Sequence, residues 1–273
     1  MSIMNKISFQ GENGAYSQSA AQKNFHGEIE TISCSTFKQV IEHTEGEKTN
    51  YSILPIENSI EGTVGESYDA LYSSNLYAVG EIYHKIEHCL IGNGSLEDVD
   101  TVYSHPQALG QCRNFLQNYS YKTVPTYDTA GSVKIIKDLE KNNACIASRN
   151  AAHIYNVPII KENIENESNN YTRFLILSKE KKDATGKDKT SIIFSIKHEP
   201  GTLYQIIKRF SDHKVNLTKI ESRPKIGTAW EYNFYVDFIG HESNENIKQI
   251  LTELKEDTSF LKIIGSYPIA ELC

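Results

Sequence analysis

Four short polar stretches, each directly behind an apolar run, hold the side chains a reaction would need. In NNYTRFLIL (169–177), Thr172 offers a hydroxyl and Arg173 a planar fork that pairs bidentately with a carboxylate. In LPIENSIEG (54–62), Pro55 and Gly62 bracket Glu57, Asn58 and Ser59, three polar groups at the point where a strand ends. In YSHPQALGQC (103–112), Ser104 and His105 precede Pro106, a residue preset for a first helical turn. Ser104 there either caps the helix or leaves its N–H groups open to a carboxylate, and Gln111 either looks back into the same pocket or faces solvent. In QGENGAYSQ (10–18), Gly11 and Gly14 permit a tight turn before a helix that starts near Ser17. The turn lacks the GxxxxGK[ST] and GxGxxG phosphate patterns, so the anion it suits is a carboxylate at a helix N-terminus. Each stretch also has a plain structural reading: an Asx-type turn, a helix cap, a strand-end arginine on an acidic neighbour. No G-x-S-x-G elbow supports Ser104 as a hydrolytic nucleophile.

The elements that must position these groups divide at 179–189, KEKKDATGKDK, with eight charged residues and no large apolar side chain. This reads as a solvated linker. Before it, KISF, TIS, YSILPI, YAVGEIY, TVYS, YKTVPT, NACIAS and YTRFLIL look like strands, with helical stretches at 17–25, 36–45, 107–118 and 129–141. That alternation predicts an α/β layout with a mostly parallel sheet, whose ligands sit beyond the carboxyl ends of strands. After the linker, 190–197 is β-rich, and Leu203, Ile206, Ile207 and Phe210 share a helical face. Residues 217–224 form a strand stopped by Pro224, and Tyr232, Phe234, Val236 and Phe238 alternate along another. Ile247, Ile250, Leu251 and Leu254 repeat the helical spacing, and 260–269 closes the set. The order βαββαβ predicts a ferredoxin-like sheet.

Composition removes several classes. The chain has 273 residues, room for one large domain or two ordinary ones, and a formal charge of −7. No basic stripe marks a nucleic-acid binder. No apolar run reaches the roughly 18–20 residues that span a bilayer, and Met1–Lys6 carries no signal core. Five scattered cysteines (Cys34, Cys89, Cys112, Cys145, Cys273) read as reduced thiols of a cytoplasmic protein. His84 and His88 lie four apart in an extended stretch without a carboxylate-bearing metal motif, so no metal is expected. A net negative field repels anions, so an anionic substrate needs local donors.

In series, GxxGAYS, PIENS, SHPQALxQC, N-x-TRF and KIESRP resemble prephenate dehydratase over essentially the whole chain. The resemblance implies a bilobed, periplasmic-binding-protein-like catalytic domain at 1–180, the 181–189 linker, and an ACT domain at 190–273. Lobe one would comprise about 1–77 and 159–180, lobe two about 78–158. No chorismate mutase bundle is expected ahead of the first strand. The implied reaction takes prephenate to phenylpyruvate, water and CO2; aromatisation drives it, and no cofactor is needed. Thr172, Arg173, Asn58, Ser104 and Gln111 match positions linked to activity, with Thr172 beside the leaving group and Arg173 on a substrate carboxylate or structural. Gly11, Gly14, Ala15, Tyr16, Glu57, Ser59, His105 and Phe174 would line the cleft. L-phenylalanine would bind as effector at Gly201, Thr202 and Leu203 and at Glu221, Ser222, Arg223 and Pro224, in at least a homodimer or a homotetramer. Thr202 stands where many relatives carry alanine. Arogenate dehydratase is the alternative within the reaction type; a non-catalytic amino-acid sensor is the alternative outside it.

Overall fold

The computed structural model describes residues 4–225 and 231–272; Cys273 and the first three residues of the expected non-signal N-terminus lie outside them. The chain runs β1 (Asn5–Gln10), α1 (Tyr16–Asn24), β2 (Ile29–Cys34), α2 (Phe37–Glu45), β3 (Tyr51–Asn58), β4 (Gly62–Thr63), α3 (Gly65–Ser73), β5 (Tyr77–Lys85) and β6 (Cys89–Gly92). It continues with β7 (Thr101–Ser104), α4 (Pro106–Gln111), α5 (Arg113–Tyr119), β8 (Lys122–Pro125), α6 (Gly131–Ile136), β9 (Asn143–Ala147), α7 (Arg149–Tyr155), β10 (Ile159–Lys161) and β11 (Tyr171–Ser178). The last part is β12 (Asp188–Ser195), α8 (Thr202–Asp212), β13 (Leu217–Pro224), β14 (Tyr232–Ile239), α9 (Glu245–Asp257) and β15 (Phe260–Pro268).

Two compact units result: residues up to Val64 with Ile82–Phe174, and Gly65–Glu81 with Leu175–Leu272. The first contains two lobes. One is built on the sheet β2-β1-β3-β11-β5, the other on β10-β6-β9-β7-β8. β1 runs parallel to both β2 and β3, and β7 parallel to both β8 and β9, so the strand ends that face the ligand come from several segments at once. Alternation fills the second lobe's two faces separately. Cys89, Ile91, Cys145 and Ala147 point into one cluster with Val133 and Ala151; Leu90, Ala144 and Ile146 point into the other with Val102 and Leu116.

The sheets move both expected lobe boundaries. β5 belongs to the first sheet, so the first crossing follows Lys85, not residue 77. β10 pairs antiparallel with β6, so the return crossing follows Lys161, not 158. Two expected helices are also shorter. Asp128 Oδ1 accepts the Gly131 N–H at 2.7 Å, which starts α6 two residues late, and the helix ends at Ile136. The 107–118 stretch breaks at Cys112, whose φ of −110° and ψ of 17° separate α4 from α5.

The second unit contains the four-stranded sheet β13-β14-β12-β15, the order that βαββαβ predicts. Ile206, Phe210, Ile247, Ile250, Leu251 and Leu254 bury against it as their spacing requires. Ile207 lies at the edge of that helical stripe and remains exposed. Helix α3 joins this unit, against the expected contiguous boundary. Tyr68 meets Tyr235 edge-on at 4.4 Å, and Lys262 Nζ donates to the carbonyls of Leu71 and Tyr72 at 2.8 and 3.0 Å at the helix's C-terminal end. The expected linker is also shorter than 179–189. β12 starts at Asp188, whose carboxylate accepts from Thr185 and Gly186, and Lys189 forms a fully buried ion pair with Glu81 at 2.8 Å.

Candidate active site

Between the lobes of the first unit lies a cavity of about 250 Å³. Phe37, Pro55, Val64, Ile86 and Phe174 give it apolar walls; Asn58, His88, Gln111 and Thr172 give it polar groups. Phe174 is buried within the first unit, a burial typically worth ~1.5–3 kcal/mol.

The polar groups form one connected network, with two arms that meet at Gln111 Oε1 and a branch from Asn58 to Thr172. Asn58 ends β3, and its Oδ1 accepts the N–H groups of Ile60 and Glu61, both at 3.0 Å. That fixes the amide, so Nδ2 donates to Asn170 Oδ1 at 2.7 Å and to Thr172 Oγ1 at 3.0 Å. Asn170 Nδ2 donates in turn to Gln111 Oε1 at 3.0 Å. Gln111 spends its own Nε2 on Glu61 at 3.3 Å, so its Oε1 also accepts, at 2.8 Å, from His88 Nε2–H. His88 Nδ1 is then an acceptor, and the single Tyr16 O–H proton is shared between it and the Glu87 carbonyl, each at 2.8 Å. Burial pushes the His88 pKa down and the Tyr16 pKa well up, so both rings are neutral.

The consequence falls on Thr172. Its oxygen accepts from Asn58, so its own O–H is left to donate, and the residue lines the cavity. Asn58, fixed by two backbone N–H groups, thus sets the direction of one hydroxyl proton, and Asn170, Gln111, His88 and Tyr16 brace the amide from its other side. No residue lining the cavity carries a permanent positive charge; the lining carboxylate, Asp128, caps α6.

Of the residues singled out in the sequence, Thr172, Asn58, Gln111, Gly14, Ala15, Tyr16 and Phe174 line this cavity. Six others are directed elsewhere. Arg173 is buried but lies between Thr172 and Phe174 on β11, so strand alternation sends its side chain to the opposite face. The Ser104 hydroxyl is donated to the Ile146 carbonyl at 2.7 Å and is fully buried; His105, not Ser104, caps α4 through Gln107 N–H. Ser59 donates to the Asn169 carbonyl at 3.1 Å and accepts from Tyr171 N–H at 2.9 Å. Glu57 pairs across with Thr63 in the β3–β4 ladder. Gly11 gives its N–H to the Cys34 carbonyl at 3.0 Å.

The opening turn therefore differs in detail from the expected anion cradle. The Gly14 N–H is donated to Gln18 Oε1 at 2.6 Å and the Ala15 N–H to the Glu12 carbonyl at 3.0 Å. The first turn of α1 lines the cavity, with Ala15, a cap without a side-chain hydrogen bond, followed by Tyr16 and Ser17. Gly14 serves another purpose. At φ +94°, a Cβ there would stand 2.6 Å from Ala151 Cα, and its carbonyl accepts from Ser148 Oγ at 2.7 Å.

Two members of the chain, His88 and Asn170, were not assigned roles from the sequence. Asn170 has a local signal, two positions before Thr172 and immediately ahead of β11. His88 has none, because its partners are 23 and 72 residues away.

In the second unit, Gly201 caps α8 at φ +89°, and the Thr202 hydroxyl lies within 2.9–3.0 Å of the Glu199 and Lys197 carbonyls. Leu203 packs on the core. Arg223 Nη2 donates to Asp69 at 3.3 Å, and its guanidinium rests so closely on Gly65 that a Cβ would meet it at 2.4 Å. Glu221 is half-buried, while Ser222 and Pro224 on the same edge strand are exposed.

Residues 7–182 match the family described as prephenate dehydratase, and 190–256 the ACT domain. The bifunctional chorismate mutase/prephenate dehydratase of Aquifex aeolicus is 40% identical over 270 residues, 98% of this chain and 74% of that one. The solved prephenate dehydratase of Arthrobacter aurescens in complex with L-Phe is 26% identical, with a TM-score of 0.90 over 97% of this chain and 90% of that one. The structure of GqqA, described as a novel type of quorum quenching acylase, is 30% identical, with a TM-score of 0.88 over 97% of this chain and 98% of that one.

Proposed function

The chain belongs to the prephenate dehydratase family, and on that premise we propose that it takes prephenate and a proton to phenylpyruvate, water and CO2. The observation that carries the reading is the Thr172 hydroxyl, turned to donate by Asn58 in a cavity whose lining holds no lysine or arginine. Thr172 hydrogen-bonds the departing C4 hydroxyl and relays to it the proton taken up from solvent, so that its own oxygen ends protonated. The C1 carboxylate leaves as CO2 and its electrons close the aromatic ring. A placed proton donor typically contributes ~10²–10⁴-fold. Asn58 and Gln111 hold the donor and the cavity wall, and the α1 N-terminal N–H groups hold a substrate carboxylate. Neutral donors suit a carboxylate that must lose its charge, because a tight ion pair would stabilise the ground state. Arg173, Ser104, Ser59, Glu57, His105 and Gly11 support this frame without touching substrate.

Acyl-amide hydrolysis is less well served. A threonine nucleophile needs an adjacent base to take its proton, and the group on Thr172 Oγ1 is instead a donor amide.

Phenylalanine acts as effector on the second unit at the Gly201–Leu203 and Glu221–Pro224 segments, in a cytoplasmic homodimer or homotetramer. No helix among the described residues is long and apolar enough to cross a membrane. Prephenate and arogenate supplied in parallel, with phenylpyruvate and phenylalanine followed over time, test the reading. The expected result is faster turnover of prephenate; preference for arogenate would change the substrate, and no product from either would leave the sensor reading.

A further inference from the structure

A second cavity of about 280 Å³ lies in the first unit on the other side of Tyr16, which lines both, as does Ser148. Its walls carry Lys23, His84, Lys85, Glu87 and Arg149. A cluster of cations in a chain of charge −7 is unusual, and the pairings show which charge is available. Arg149 is held by Glu162 through both of its terminal nitrogens, and Lys85 by Glu87 at 3.0 Å. Lys23, in the last turn of α1, has no ion pair among the described residues.

His84 is the second observation. Only 5% of it is exposed, yet it forms no hydrogen bond among the described residues; its contact is the Tyr16 ring, 6.3 Å between centroids. Its ring nitrogens are not among the described side-chain atoms that are both enclosed and unpartnered, so the polar edge of a mostly buried ring opens to the cavity it lines, where a ligand oxygen can accept the N–H in place of water. Burial, with Lys23 beside it, lowers its pKa to about 4, so at neutral pH it offers a neutral N–H.

We propose that this cavity is a second anion site that binds a small organic monocarboxylate, held by Lys23 and by the N–H of His84. One uncompensated positive charge matches a monoanion rather than a phosphate dianion, and the guanidinium fork that would recognise phosphate is already committed to Glu162. Because Tyr16 forms the common wall and also hydrogen-bonds His88, occupancy here bears on the chain that ends at Thr172.

The test is a calorimetric titration of the 273-residue chain with phenylpyruvate and, separately, with inorganic phosphate, repeated on Lys23→Gln. Lys23 is exposed and outside the catalytic chain, so this variant is expected to fold and to keep its kcat within about two-fold. The expected result is that Lys23→Gln loses one equivalent of phenylpyruvate, or weakens it at least ten-fold, while phosphate binds neither protein. Two equivalents falling to one supports both sites. One falling to none supports this cavity and counts against product binding in the catalytic one. An equal count and affinity in both proteins, or a phosphate equivalent that disappears in Lys23→Gln, would overturn the proposal. His84→Phe, which fills the site with a neutral ring, should lose the same equivalent.

Discussion

The two units bury polarity in opposite ways. In the first, Tyr16, His88, Gln111, Asn170, Asn58 and Thr172 are joined by hydrogen bonds into one network without a formal charge among them. In the second, a full ion pair is enclosed, with Lys189 Nζ at 2.8 and 2.9 Å from the Glu81 oxygens and side-chain exposures of 6% and 0%. A buried ion pair tolerates only one arrangement, because removing either partner strands a charge. A neutral chain holds a geometry with no net field. That is what a site needs when the charge on its ligand is to disappear. Charge fixes the frame in one unit, and hydrogen-bond direction fixes a proton in the other.

The contrast predicts a double dissociation. Thr172→Ala should lower kcat for prephenate by ~10²–10⁴-fold and leave the denaturation midpoint nearly unchanged, while Thr172→Ser retains most activity. Lys189→Met should do the reverse, costing ~3–5 kcal/mol of stability by urea unfolding while the surviving folded enzyme keeps its kcat. Loss of activity in proportion to stability in both variants would erase the distinction.

A smaller effect comes from pH. The folded pKa of His84 is near 4, below the ordinary histidine value, because burial and Lys23 disfavour its cation while Glu87 opposes them. The unfolded chain then binds the extra proton first. The stability contributed is fully present above about pH 6.5 and is lost as pH falls toward 4, at no more than ~1.4 kcal/mol per pH unit. His88, also lowered by burial although its hydrogen bond to Gln111 opposes this, contributes in the same direction below the ordinary histidine value. His84→Phe should flatten the slope measured by unfolding between pH 6.5 and 4; an unchanged slope would assign it to other groups.

Much of this was legible in the sequence, and the failures have physical causes. The βαββαβ order and the helical faces at 247–254 follow from periodicity, which is local. The strand-end motifs located the cavity for the same reason. Direction is where local reading stopped. Thr172 and Arg173 are adjacent, yet a strand's two-residue period puts only one of them in the cavity. Ser104 was singled out by its proline neighbour, but its hydroxyl went to a carbonyl 42 residues away. His84 and His88 stood out as a pair and belong to separate cavities, since β5 ends at Lys85 between them. Lys189 looked solvated inside a charged run, and only Glu81, 108 residues back, explains its burial.

The central claim is that Asn58 turns the Thr172 proton toward the substrate. The most direct test is a double-mutant cycle on kcat for prephenate with Asn58→Asp and Thr172→Ala. Aspartate keeps the two backbone N–H bonds but replaces the donor with an acceptor, so it draws the Thr172 proton away from the cavity. The account predicts that Asn58→Asp alone loses most of what Thr172→Ala loses, and that the double variant is no slower than Thr172→Ala. Losses that simply add in the double variant would mean the two side chains act independently, and would contradict it.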